Sequence, residues 1–319
     1  MTNKKTAAPV SGAATSTQKK AAPKTTTKSP ARRKPSTPKK TAPKAKEEVL
    51  VNVQEESTVS ATAAPEEQPS RPKGHVVVIP YIDSKAAGKE LLFALRAWEN
   101  NFEDLAGIVV VGDLPEGISR EKVTHIPHRP ESNNPQVDVA QKMAAAIASD
   151  LVPEVFIWSN DDIYPIAPVS FEDIAAKKSI GILRSKGKPG GVYHQNSIRT
   201  MEAIKKAGLK NPKDYATHTP VVFEKSKLAK TIADFGATKE GLLVSTLYFN
   251  QHYPLSRPIV TSNGATGSIV ASVWSANPNR DILERVFQER SWINNNDLGY
   301  PIVEPYLIKL FPKKSRFEK

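Results

Sequence analysis

The chain has 319 residues, a formal net charge of +12 at pH 7 and no cysteine. The length suits one large domain or two small ones, and the missing cysteine excludes disulfides, a thiolate nucleophile and a Cys-based zinc site. No apolar run approaches the roughly 18 residues of a membrane span. Met1-Thr2-Asn3-Lys4-Lys5 leads into Ala, Pro and Thr instead of an apolar core, so a cytoplasmic protein without a secretory signal is expected.

The charge is unevenly placed. Residues 1–50 hold 13 Lys or Arg against 2 Glu, a net of +11, whereas residues 75–319 carry only +3. Residues 1–73 are Ala, Pro, Thr, Ser and Lys with almost no large apolar side chain. Such a segment buries too little apolar surface to offset its chain entropy, so a disordered basic tail is expected. Ser29-Pro30-Ala31-Arg32-Arg33-Lys34 and Thr37-Pro38-Lys39-Lys40 resemble the Ser/Thr-Pro-basic repeats of linker-histone tails. Nonspecific DNA contact through residues 1–50 by counterion release is one reading. A solubilising spacer is the other. The acidic stretch from Lys46 to Gln68 is able to fold back on the basic part.

The second segment, 74–319, reads as a folded domain. His75 to Tyr81 is a strong strand. A loop with Asp83 and Gly88 follows, and then a helix from Lys89 to Asn101 with Leu91, Leu92, Leu95 and Trp98 at three- and four-residue spacing. Ile108 to Val111 is a second strand and Lys122 to Ile126 a short third. Val137 to Ser149 is an Ala-rich helix, and Val155 to Trp158 a buried strand. This order argues for an α/β fold with a mostly parallel sheet flanked by helices. There is no G-x-G-x-x-G and no G-x-x-x-x-G-K-[ST], which excludes a standard dinucleotide fold and a P-loop. His125 and His128 have metal-like spacing but no helix to support it, so they read as loop.

The fourth strand ends on Asn160-Asp161-Asp162, and Pro165 and Pro168 keep the following chain from running on as a strand or a helix. Two adjacent carboxylates repel unless a cation or water lies between them. At strand carboxyl ends, where open α/β sheets bind ligands, they suit Mg²⁺ or Mn²⁺ on a diphosphate. A solvated acidic turn is the bland alternative. Downstream, Ile180 to Leu183 reads as a strand followed by Arg184, and Ser185 to Gly191 as a basic glycine loop. Helices are expected over Ser197–Gly208, Lys225–Phe235 and Lys239–His252. Tyr193 and His194 are candidates to stack a base.

Several stretches carry a resemblance. Lys89-Glu90-Leu91-Leu92-Phe93-Ala94-Leu95-Arg96 is similar to a Glu-Leu-x-x-Ser-Leu-Arg helix, and Asn160-Asp161-Asp162 to an Asn-Asp-Asp turn. His218-Thr219-Pro220 is similar to a His-x-Pro segment. Asn296-Asp297 with Phe311-Pro312-Lys313-Lys314-Ser315-Arg316-Phe317-Glu318 is similar to a closing block of Asn-Asp and Phe-Pro-x-x-Ser-x-Phe-Glu. In this order they resemble the Stealth family of sugar-1-phosphate transferases, over about 90–318. The strand order resembles the GT-A nucleotide-sugar transferases. The match departs at Ile79 to Asp83, a faint echo of the family's opening block, and at Ala237, near which the family has an arginine.

The resemblance implies a GT-A-like domain with a nucleotide-sugar donor and a glycan or other hydroxyl acceptor. Asp161, Asp162 and Asp297 would hold Mg²⁺ or Mn²⁺, and Asp83, Arg96, Asn160, Arg184 and Asn296 would contact the donor. His218 would take the acceptor's proton, with Asp162 as its catalytic partner at the metal. Taken alone, His218 equally suits a packing or capping histidine, and Arg96 a helix pair with Glu99 or Glu103. Three functions follow: a sugar or sugar-1-phosphate transferase acting on a glycan, the same core acting on DNA through the tail, and a non-enzymatic DNA-binding or structural protein. The ordered motifs favour an enzyme.

Overall fold

Near-continuous apolar runs form the centre of the molecule, because strands covered on both faces have no solvent side to keep polar. The computed structural model describes residues 74–261 and 270–319, which lie in the unit Glu66–Lys319. The expected disorder and DNA contact of the tail fall outside the described residues.

In chain order the elements are β1 (His75–Tyr81), a 3-10 turn (Asp83–Lys85), α1 (Glu90–Asn101), β2 (Leu105–Gly112), β3 (Thr124–Pro127), α2 (Pro135–Ala148), β4 (Val155–Trp158) and β5 (Ile163–Pro165). They continue with α3 (Phe171–Ala175), β6 (Lys178–Ser179), α4 (Val192–Lys206), β7 (Val221–Glu224), α5 (Lys225–Phe235) and α6 (Val244–His252). The last are β8 (Ile259–Val260), β9 (Val270–Val273), α7 (Arg280–Glu289), β10 (Trp292–Asn295) and α8 (Tyr300–Leu310).

The main sheet has the order β3-β2-β1-β4-β7, parallel throughout except for β7. Alternate side chains feed two cores. Val78, Val109, Val111, Phe156 and Trp158 meet α2, α5 and α6 on one face. Val77, Ile79, Val110 and Ile157 meet Leu91, Leu95 and Trp98 of α1 on the other. The ends of β1 and β2 approach closely at Gly112, where φ is +126° and a Cβ would lie 2.0 Å from the Tyr81 carbonyl oxygen. Only glycine fits there. A second sheet, β5-β10-β9, packs against α1, α7 and α8 through Phe93, Tyr164, Ile293, Leu283 and Val303. β6 and β8 form a separate pair.

The structure corrects four expectations about elements. The strand expected at Ile180–Leu183 is reduced to β6 and one isolated bridge between Ile182 and Lys213. Gly181, at φ +105°, breaks the extended backbone, and Ile182 is 68% exposed. Helix α4 begins five residues early, at Val192, directly after the glycine loop. The helix expected from Lys239 starts only at Val244, with Leu242 and Leu243 buried in the approach to it. Pro165 does not prevent a strand after the acidic turn. It terminates β5, opposite Trp292 of β10.

Candidate functional site

Strand order reverses beside β1, which pairs with β2 on one side and β4 on the other. The crevice beyond such strand ends is where open α/β sheets place ligands. Here it is a cleft of about 190 Å³ between Tyr81 and Ile82 after β1 and Asn160, Asp161 and Asp162 after β4. Asn296 and Asp297, after β10, close a third side. The acidic turn and the terminal Asn-Asp pair, more than a hundred residues apart in sequence, are therefore brought together.

Its charge is lopsided. Glu90, Asp161, Asp162 and Asp297 line the cleft against Lys85 and Lys142. Burial pushes the Asp161 carboxyl up to about 7, with the Glu90 charge adding to the shift. Asp162 is pushed well above the carboxylate range by burial, then by Asp161 and Glu90, while an Asn160 hydrogen bond opposes the shift. Burial also raises Glu90. Its carboxylate accepts from Ala87 N and Asn295 Nδ2, both at 2.7 Å, tying α1 to β10. Lys142 lies on α2, which starts with Pro135 after Asn134 as N-cap, and its buried ammonium donates to Asp138 Oδ2 at 2.7 Å. Sequence reasoning missed Lys142, inside an Ala-rich helix without a motif. It also assigned no site role to Glu90, although the family-like helix begins there.

Asp162 Oδ1 is buried without a hydrogen-bond partner, which is costly for an ionised oxygen. Among the described residues, no three His, Asp or Glu side chains form a group suited to a metal ion. One or two carboxylates, completed by water and phosphate, is the usual way Mg²⁺ is held in phosphate-handling sites. Two adjacent hard-oxygen ligands, one of them orphaned, fit that donor set.

A second cavity, of about 150 Å³, shares Val139 and Asn160 with the cleft. Trp158, Tyr193 and Tyr215 line it with His218. His218 has φ +48°, unusual for a residue with a side chain, and Asn294 Nδ2 of β10 donates to its carbonyl oxygen at 3.1 Å. Burial pushes its imidazole pKa down, and the nearby Lys186 charge lowers it further. Lys186, in the basic glycine loop, pairs with Asp214 at 2.6 Å and lies over the Tyr193 ring.

The remaining expected site residues are placed differently. Asp83 is exposed beside the cleft, accepting from Tyr81 Oη at 3.0 Å. Asn296 reaches the cleft, but its Oδ1 also accepts from Gly299 N at 2.9 Å ahead of α8. Arg184 is exposed and lines neither cavity. Arg96 also lines neither. Its guanidinium makes two 2.7 Å bonds to Glu318 and a 3.1 Å bond to the Phe311 carbonyl oxygen. Its carboxylate partner within the chain is thus Glu318, not the Glu99 or Glu103 expected from helix spacing. His125 lies in β3, bonded to the Gly112 carbonyl oxygen at 2.8 Å.

No protein-family model matches the chain, and no curated protein matches it by sequence. Several solved structures are similar at a distance. A glycosyltransferase involved in glycosylation of the major capsid of PBCV-1 is 10% identical, with 69% of this chain and 92% of that chain covered and a TM-score of 0.33. Mouse xyloside xylosyltransferase 1 in its apo form is 12% identical over 70% and 97% of the two chains, at a TM-score of 0.34. A 4-diphosphocytidyl-2C-methyl-D-erythritol synthase is 14% identical over 52% and 84%, at 0.29. Likeness at this level leaves the function to the geometry of the site.

Proposed function

We propose that the chain is a metal-dependent transferase that moves a sugar, or a sugar-1-phosphate, from a nucleotide-sugar donor to a hydroxyl acceptor. The observation that carries this reading is the pairing of Asp161 and Asp162 at the switch point of the sheet, with one buried oxygen orphaned, next to a cavity holding a neutral histidine. Asp161 and Asp162, with Asp297 at the rim, are the residues that would hold Mg²⁺ or Mn²⁺. A bound divalent ion would supply Lewis-acid neutralisation of the donor diphosphate. The resemblance to the Stealth proteins and to GT-A transferases points the same way.

The chain's own groups divide the remaining work. Glu90, fixed by Ala87 and Asn295, and Lys142, fixed by Asp138, set the charge of the cleft. Asn160 lines both the cleft and the His218 cavity and would contact the donor between them. His218 accepts the proton of the acceptor hydroxyl as its oxygen attacks. Attack at the anomeric carbon breaks the bond from sugar to phosphate and releases a nucleoside diphosphate. Attack at the sugar-bearing phosphorus breaks the diphosphate bridge and releases a nucleoside monophosphate.

The test is thermal unfolding of the purified chain against a panel of nucleotide sugars, with and without Mg²⁺ or Mn²⁺. A ligand that binds only the folded state raises its apparent stability. At least one donor is expected to raise the midpoint only with metal, and Asp162→Asn to abolish that shift. Metal-independent shifts, or an unchanged response in Asp162→Asn, would remove the metal assignment. The nucleotide released with an acceptor then separates the two transfers.

A further inference from the structure

Trp274 stands beside this site, and the reaction as described leaves it without a task. The chain has four tryptophans. Trp98, Trp158 and Trp292 are at most 4% exposed, whereas Trp274 is 48% exposed. An indole left half in water exposes a large apolar face that folding alone does not use.

Its position is tightly determined. Trp274 directly follows β9, whose last residue, Val273, accepts a backbone hydrogen bond from Asn296 N at 3.4 Å. Gly299 abuts the same point, because a Cβ there would lie 1.7 Å from the Val273 carbonyl oxygen. The segment carrying Asn296 and Asp297 into the acidic cleft therefore also holds the base of Trp274. On its other side, the indole meets the His218 imidazole edge-on, with ring centroids 5.4 Å apart at 72°. Trp274 thus touches the histidine that suits a hydroxyl proton, and its strand end is bonded to the turn that carries Asn296 and Asp297.

The described surroundings mix apolar with neutral polar side chains. Trp274 lines a hollow of about 240 Å³ between β9 and α7, whose walls include Ser272, Ser275, Asn279, Ile282 and Leu283. Among the described residues, no Lys, Arg, Asp or Glu lines it. The nearby Lys186 is already paired with Asp214. An acceptor with a phosphate backbone would meet no cation in this hollow. A pyranose ring suits it, with one face of C–H groups to lie against the indole.

We propose that Trp274 is the platform on which the acceptor's sugar ring stacks, presenting one ring hydroxyl to His218, so that the acceptor is a neutral carbohydrate. This rests on the transferase reading above and specifies its acceptor. Trp274 is a positioning residue: it places the hydroxyl whose proton His218 removes and takes no part in bond breaking.

The experiment uses the full chain and neutral saccharides as probes: methyl glycosides of glucose, galactose, mannose, N-acetylglucosamine and N-acetylgalactosamine, their disaccharides, and a single-stranded oligonucleotide for contrast. Trp274 is the exposed fluorophore, so acrylamide quenching reports its cover directly. At least one saccharide is expected to protect it saturably. With that saccharide as acceptor, Trp274→Ala should raise the acceptor KM about tenfold and Trp274→Phe at most about threefold, since a flat ring retains most of the stacking. Both variants should remain folded, with a single cooperative unfolding transition. Protection by no saccharide, protection by the oligonucleotide alone, or an unchanged acceptor KM in Trp274→Ala would overturn the proposal. Quenching needs no donor. Failure of the metal-dependent donor shift therefore strikes the transferase reading, while an intact donor shift without saccharide protection strikes only this inference.

Discussion

His218 shows how environment sets a role. An imidazole ordinarily titrates near 6.5, and burial together with the Lys186 charge moves this one lower. Between the depressed value and 6.5 the unfolded chain binds more protons than the folded one. Stability from this group therefore rises with pH across that window, is complete above 6.5, and is lost as pH falls through the folded pKa. The same shift keeps the imidazole neutral, and able to accept a proton, at pH values where a solvated histidine is charged. Transfer to the acceptor is expected to lose activity on an acidic limb centred below 6.5. His218→Gln should remove that limb and slow transfer by about 10²–10⁴-fold. A limb at or above 6.5 in the wild type would show that another group is the base.

At the scale of elements, the closing block of the chain holds Arg96 of α1, the residue that the resemblance assigned to the donor. Glu318 reaches back to α1 and takes two of the three guanidinium bonds of Arg96, with 15% and 4% of the Arg96 and Glu318 side chains exposed. Arg316 N donates to Glu99 at 2.9 Å, and Ile118 bridges Glu318, so the C-terminus is fastened to α1 and to the loop after β2. Removing one partner of a largely buried pair leaves the other charge uncompensated. Arg96→Gln is expected to cost about 3 kcal/mol in urea unfolding, with the donor-induced thermal shift retained. Loss of the donor shift at unchanged stability would return Arg96 to the donor site.

The charge of the whole molecule is divided along the chain: +11 in residues 1–50 and +3 in residues 75–319. No helix among the described residues is long and apolar enough to cross a membrane. If the basic segment contacts nucleic acid, counterion release makes that binding steeply salt-dependent. The full chain is expected to retain double-stranded DNA at low salt and release it as salt rises, and residues 74–319 to bind far more weakly at every salt concentration. Equal binding by both would place the DNA contact in the folded part.

The strands β1, β2 and β4 and the helices α1, α2 and α5 were legible in the sequence because their periodicity is local, and the acidic turn because Asn160-Asp161-Asp162 interrupts an apolar run. Helices α7 and α8 were not: α8 carries Pro305 inside it and is held by packing of Val303 and Leu307 instead of by propensity. The sequence by itself determined the parallel α/β class and three of the carboxylates of the cleft, since hydrophobic pattern and motif are properties of neighbouring residues. Only the tertiary structure decided that Glu90 and Lys142 complete the cleft, that Arg96 pairs with Glu318, and that Trp274 stands against His218. Those pairings depend on which strand ends and loops the chain crossovers bring together, and contacts between separate elements leave no trace in local spacing.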